Sequence, residues 1–120
     1  MSADPFTERL ARVRHRYVST IESKISDTYA DLPKLVGDGP GVATTLDETY
    51  RRIHGIVGIG LTVGFAATGQ AAKTVENVLL EPHRTARGLG PNEINSLKQA
   101  LDVLRDTVQR DLLTITASGR

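Results

Sequence analysis

The sequence has no cysteine and no tryptophan, a single methionine, and aromatic residues at only 4%. Without cysteine there is neither a disulfide framework nor a thiolate metal site, and with so few rings the core must be aliphatic. An excess of charge of one sign is also missing. Fifteen Lys and Arg against 14 Asp and Glu leave a net charge of +1, which gives no long-range pull toward nucleic acid or an anionic membrane. No apolar run approaches the ~18 residues of a membrane span. The start Met1-Ser2-Ala3-Asp4-Pro5 lacks the basic and apolar regions of a signal peptide. A cytoplasmic protein is the expectation, with no membrane and no nucleic acid among its partners. A length of 120 residues suits one domain spanning 1–120.

Nothing alternates with the period of a strand. What is present is helical periodicity. Asp4 before Pro5 is a helix start, and Leu10, Val13, Tyr17, Ile21, Ile25, Tyr29 and Leu32 recur every three or four residues. They predict one long amphipathic helix, straight or bent, ending between Pro33 and Val36. Gly37-Asp38-Gly39-Pro40-Gly41 reads as a turn-rich linker. Thr45 and Glu48 match a capping box opening a second helix, whose core stripe is Leu46, Thr49, Ile53, Ile56, Gly60 and Val63. Gly64 is placed to stop it in the left-handed conformation. A third helix is expected from Ala66 to Leu80 on Ala72, Val75, Val78 and Leu79, then a loop from Glu81 to Gly90. Pro91 restarts a helix running to about Ile115, with the clearest stripe in the chain: Ile94, Leu97, Leu101, Leu104, Val108, Leu112 and Ile115. Long helices with short connections imply an all-α antiparallel four-helix bundle.

The run from His54 to Phe65 interrupts this ordinary picture. His54 sits one position off the core stripe, in a boundary row with Tyr50, Val57, Gly58 and Leu61. Glycines at 55, 58 and 60 together weaken a helix by roughly 2–3 kcal/mol relative to alanine, so they need a compensating reason. Either the helix packs very closely on a neighbour, or something large reaches its surface. Gly58 lies one turn on from His54 on the same face and leaves the imidazole uncovered. A neutral histidine has a nucleophilic nitrogen at physiological pH.

His54, Ile56, Gly58 and Gly64, followed by Phe65, resemble the core motif of the histidine phosphotransfer (HPt) domain family: His, an aliphatic at plus two, Gly at plus four and Gly at plus ten. Taking Gly55 as the plus-four glycine would put Arg51 at the acceptor position and spoil the later matches. The resemblance implies a four-helix bundle and a phosphoryl carrier, not an enzyme with its own ATP site. His54 would accept the phosphoryl group from a receiver-domain aspartate and pass it to another receiver. The implied partners are response-regulator receiver domains and a hybrid histidine kinase. No cofactor is expected on this chain, magnesium belonging to the receiver, and a monomer is expected.

The family commonly carries a basic residue at plus one or plus three, where this chain has Gly55 and Val57. Phosphate support must then come from Arg51, with Arg52 close by, or from Lys73 on the next helix. Glu76 falls roughly where the family orients the imidazole with a polar side chain. Tyr50, Val57 and Leu61, with Ile59, would form the docking face. His15 and His83 have no such context: His15 lies between Arg14 and Arg16 on a solvated face, and His83 beside Pro82 in the expected loop. Three scattered histidines without HxxxH spacing make no metal site. The glycines miss G-x-G-x-x-G and lack a Walker lysine or a preceding strand, which excludes a nucleotide loop. The alternative is a degenerate HPt-like helical module that binds signalling partners without being phosphorylated.

Overall fold

A computed structural model describes residues 4–118, with side chains through 114. Four helices follow one another: α1 (Pro5–Asp31), α2 (Pro40–Thr62), α3 (Ala66–Arg84) and α4 (Pro91–Ser118), with a 3₁₀ turn at Leu32–Leu35 after α1. Each helix packs on the next in sequence and α4 returns onto α1, so the four close into an antiparallel bundle. Cross-helix contacts fix the sense: Tyr17 with Ile56 and Arg52 with Asp31 for α1 and α2, Gln109 with Glu22 and Asp102 with Tyr29 for α4 and α1. Among the described residues there is no strand, and no helix is long and apolar enough to cross a membrane.

The core is aliphatic with one ring pair inside it. Ile21, Leu35, Leu46, Ile53, Ile56, Val75, Leu79, Leu97, Leu101, Leu104 and Val108 are fully buried, as is Phe65, which packs against Tyr17 with centroids 5.4 Å apart. The α2 stripe is buried at Leu46, Thr49, Ile53, Ile56 and Gly60, while Val63 is only half-buried. Ile115, expected to close the α4 stripe, lies outside the residues whose side chains are described.

Two helix boundaries differ clearly from the sequence expectation. The second helix begins at Pro40 rather than near Thr45, with Gly39 as N-cap and proline in the first helical position, where its missing N–H costs nothing. Thr45 is therefore inside the helix, its carbonyl accepting from Thr49 Oγ1 at 2.8 Å. The third helix runs through Pro82 to Arg84 instead of giving way at Glu81. A proline two residues from a helix end removes one hydrogen bond and has little helix left to break. At the other end of the molecule, Val13 of the α1 stripe is half-exposed and Leu10 only partly covered, because the first turns of α1 reach past the packed part of the bundle.

The turn between α2 and α3 is tight. Gly64 has φ +86° and the Phe65 amide donates to the Gly60 carbonyl at 2.8 Å. That is a Schellman closure with a buried apolar residue after the glycine. Thr68, in the first turn of α3, donates from both its amide (2.9 Å) and its hydroxyl (2.7 Å) to Asp111 of α4. A carboxylate from another helix thus satisfies orphan donors at the α3 start.

Gly60 explains one of the glycines by packing. A Cβ there would lie 2.9 Å from Tyr17 Oη and 3.1 Å from the Cα and N of Gly69. α2 and α3 therefore cross here with backbone nearly touching backbone. Tyr17 donates to the Ile56 carbonyl at 2.9 Å, and burial, with the Asp111 charge adding to it, pushes its pKa up to about 12.

Candidate functional site

His54 projects from the middle of α2 into solvent, its side chain 68% exposed. Its Nδ1 lies 2.5 Å from Glu76 Oε2 on α3. The carboxylate beneath it is buried, at 7% exposure, and its second oxygen accepts from Lys73 Nζ at 3.3 Å. Burial on its own would raise the Glu76 pKa, but the hydrogen bonds from His54 and Lys73 outweigh it and hold the carboxyl below the usual range. Glu76 is therefore an anion, and an anion can only accept. It follows that Nδ1 carries the proton in the neutral ring and that the lone pair sits on Nε2, on the outer edge of the imidazole.

Access to that edge follows from the other glycines. A Cβ at Gly58 or at Gly55 would meet nothing within 4 Å, so neither is required by packing. Gly58, one turn above the ring, is exposed and leaves the approach to His54 clear.

Of the residues singled out from sequence, Glu76, Lys73, Tyr50 and Gly58 gather around His54. Tyr50 is half-buried with its ring parallel to the imidazole at 9° and centroids 6.2 Å apart. Val57 is half-buried against the core, and Leu61 is exposed at the far end of the row, lying over Gly69. Ile59 is exposed as well. The arginines are directed elsewhere. Arg51 Nε bonds Asp47 Oδ2 at 3.0 Å, one turn back along α2, and Arg52 reaches Asp31 and Thr28 of α1 at 3.1 and 3.2 Å. Lys73 is the cation that shares a carboxylate with the ring, and the expected support from Arg51 is not a contact of this structure.

Comparison of the chain with protein-family models, with curated proteins and with solved structures finds no match. The site must therefore be read from its own geometry.

One residue escaped the sequence reading. His83, placed there in a loop without context, lies in the last turn of α3, its ring stacked on Tyr50 at 4.2 Å and 5° and its Nε2 2.8 Å from Asp47 Oδ1. The hydrogen bond from His83, with Arg51 adding to it, outweighs desolvation and holds the Asp47 carboxyl below its usual range. A signal for this pair existed. Asp47 lies seven residues before His54, and His83 seven after Glu76. On antiparallel helices, two turns back along one face a residue two turns forward on the other, so a register joining His54 to Glu76 also joins Asp47 to His83.

Among the described residues no group of three His, Cys, Asp or Glu side chains is placed to hold a metal ion. A cavity of about 240 Å³ lined by Glu22, Ile25, Ser26, Tyr29 and Arg105 opens on the α1–α4 side. His54 stands on the α2–α3 side, away from the residues that line this cavity.

Proposed function

We propose that the chain is a histidine phosphotransfer protein of a two-component phosphorelay, with His54 as phosphoacceptor. The observation that carries this reading is the pairing of an exposed imidazole with a buried anion: Glu76 fixes Nδ1–H and leaves Nε2 free beside an uncovered Gly58. Phosphoryl transfer relies mainly on positioning and electrostatics, and both are supplied by side chains of two packed helices.

In this reading Nε2 attacks the phosphorus of a receiver's aspartyl phosphate in line. The P–N bond forms as the P–O bond to the aspartate breaks, and the carboxylate leaves with the electron pair. The proton stays on Nδ1, and the positive charge that develops on the ring is balanced by Glu76. The reverse sequence delivers the group to a second receiver. Magnesium and the acidic pocket belong to the receivers, and a hybrid histidine kinase supplies the first phosphoryl group from ATP. Lys73 is the phosphate-side cation, Tyr50, Val57 and Leu61 form the docking row, and the setting is cytoplasmic.

The second reading, a helical module that docks on signalling proteins without carrying phosphate, draws on one observation: Arg51 and Arg52 are both paired away from the ring. One experiment separates the two. A panel of phosphorylated receiver domains is incubated with the protein and with His54→Gln, both shown folded by circular dichroism. Acid-labile label on the native chain and none on the variant is the expected result. Receiver binding without label on either would favour the docking module, and equal labelling would move the acceptor to another residue.

A further inference from the structure

Three rings stand in a row along the seam between α2 and α3. Tyr50 is parallel to His54 on one side and to His83 on the other, and the row is held at its ends by Glu76 and Asp47. The Tyr50 hydroxyl makes no hydrogen bond among the described residues, so its ring is placed by packing against the core and by its two stacks. The tighter of its two stacks, at 4.2 Å, is with His83. His83 is fixed by Asp47, which is itself bonded to Arg51. A chain of constraint therefore runs from the paired surface charges through His83 and Tyr50 to the flank of the His54 imidazole.

We propose that His83, set by Asp47, is a positioning residue for His54 that acts through Tyr50. It holds the tyrosine ring as a wall, and the wall confines the imidazole to the orientation in which Nδ1 meets Glu76 and Nε2 points outward. Without that wall only one hydrogen bond, made from an exposed side chain, would restrain the ring. The inference rests on the phosphotransfer reading for its consequence, but the wall itself can be observed without phosphate.

Two substitutions separate the two contacts of His83. His83→Gln keeps a hydrogen-bonding group for Asp47 and loses the stack, whereas His83→Phe keeps the stack and loses the bond. The His54 ring is followed by proton–carbon NMR, where the Tyr50 ring current marks its position, and transfer from a phosphorylated receiver is measured for kcat and KM. In His83→Gln the His54 ring signals should shift or broaden and kcat should fall roughly three- to tenfold with KM unchanged, while His83→Phe, which keeps the stack without the Asp47 bond, shows a smaller change in both. A folded His83→Gln with native His54 signals and native kcat overturns the proposal, as does equal impairment of the two variants. Should His83→Gln fail to fold, Tyr50→Leu removes the wall from α2 alone and must lower kcat as well as move the His54 signals, or the proposal falls. If the signals respond as expected while the native chain takes no phosphoryl group from any receiver, the wall stands and the phosphotransfer reading fails.

Discussion

The packed and the open face of α2 use the same residue for opposite ends. On the packed face, Gly60 lets α3 approach until a methyl group would strike Tyr17 and the Gly69 backbone. At Gly55 and Gly58, by contrast, an added methyl group would meet nothing within 4 Å. A run of glycines within six residues therefore has two physical causes, and the sequence run alone could not separate them. The open face keeps glycines that weaken the helix and that no packing requires, which is the pattern expected where a partner must reach His54.

Substitutions at these glycines and at the carboxylates test the distinction. The largest effect is expected on the packed face. Gly60→Val places two methyl groups where one already clashes, and should destabilise the fold by about 3 kcal/mol or more, read by urea unfolding. Next comes Glu76→Ala on the open side, which removes the group that sets the imidazole tautomer. Transfer should fall by roughly 10- to 100-fold, while circular dichroism stays native.

The same carboxylate gives a pH signature. Its pKa lies below 4.5 in the folded protein, so its stabilising contribution is complete above that value. It is lost as pH falls through the folded pKa. The stability difference between the native chain and Glu76→Gln should therefore shrink on acidification below 4.5, and a constant difference would refute the assigned interaction.

Gly58→Ala should do the reverse of Gly60→Val. With open space to receive the methyl group, helix propensity gains about 0.5–1 kcal/mol and the melting temperature rises by about 2–5 °C. On the phosphotransfer proposal, transfer should nevertheless slow, because the methyl group stands beside the approach to Nε2. A stabilised but slower variant is the mark of a glycine kept for access. The smallest effect is expected for Asp47→Asn, which retains an acceptor for His83: less than about twofold in transfer, and a melting temperature within error of native.

The stripes of α2 and α4 were legible because their apolar positions recur at helical spacing over many turns, and Gly64 because a turn into a buried Phe65 needs a residue at positive φ. The boundaries were less so. Glycines on both sides give Pro40 the look of a linker, although proline in a first turn is also a start signal. The local cost of Pro82 is visible in sequence and argues for a loop, whereas the stack and hydrogen bond of His83 that hold the last turn are not visible there. Glu76 beside His54 is expected from sequence only through the family resemblance, which implies a polar side chain of the neighbouring helix at that place. The placement of Arg51 was not legible, because its choice between Asp47 and the ring is a side-chain competition that no periodicity encodes. The Asp111 contact with Thr68 joins residues 43 apart in sequence, and nothing local in either stretch announces it.

Both ends of the α2–α3 pair are tied down. At one end, the Schellman turn and the Asp111 carboxylate bind the helices to each other and to α4. At the other, the Leu89 amide donates to the Leu35 carbonyl at 2.8 Å, and Gly88 lies so close to Gly37 that a side chain would overlap its carbonyl oxygen. Helices normally open by fraying from their ends, and here the ends are clasped while the exposed histidine stands midway. Amide exchange across residues 50–58 should then require cooperative opening of most of the bundle rather than a local excursion, so that any partner meets a backbone already in its final shape.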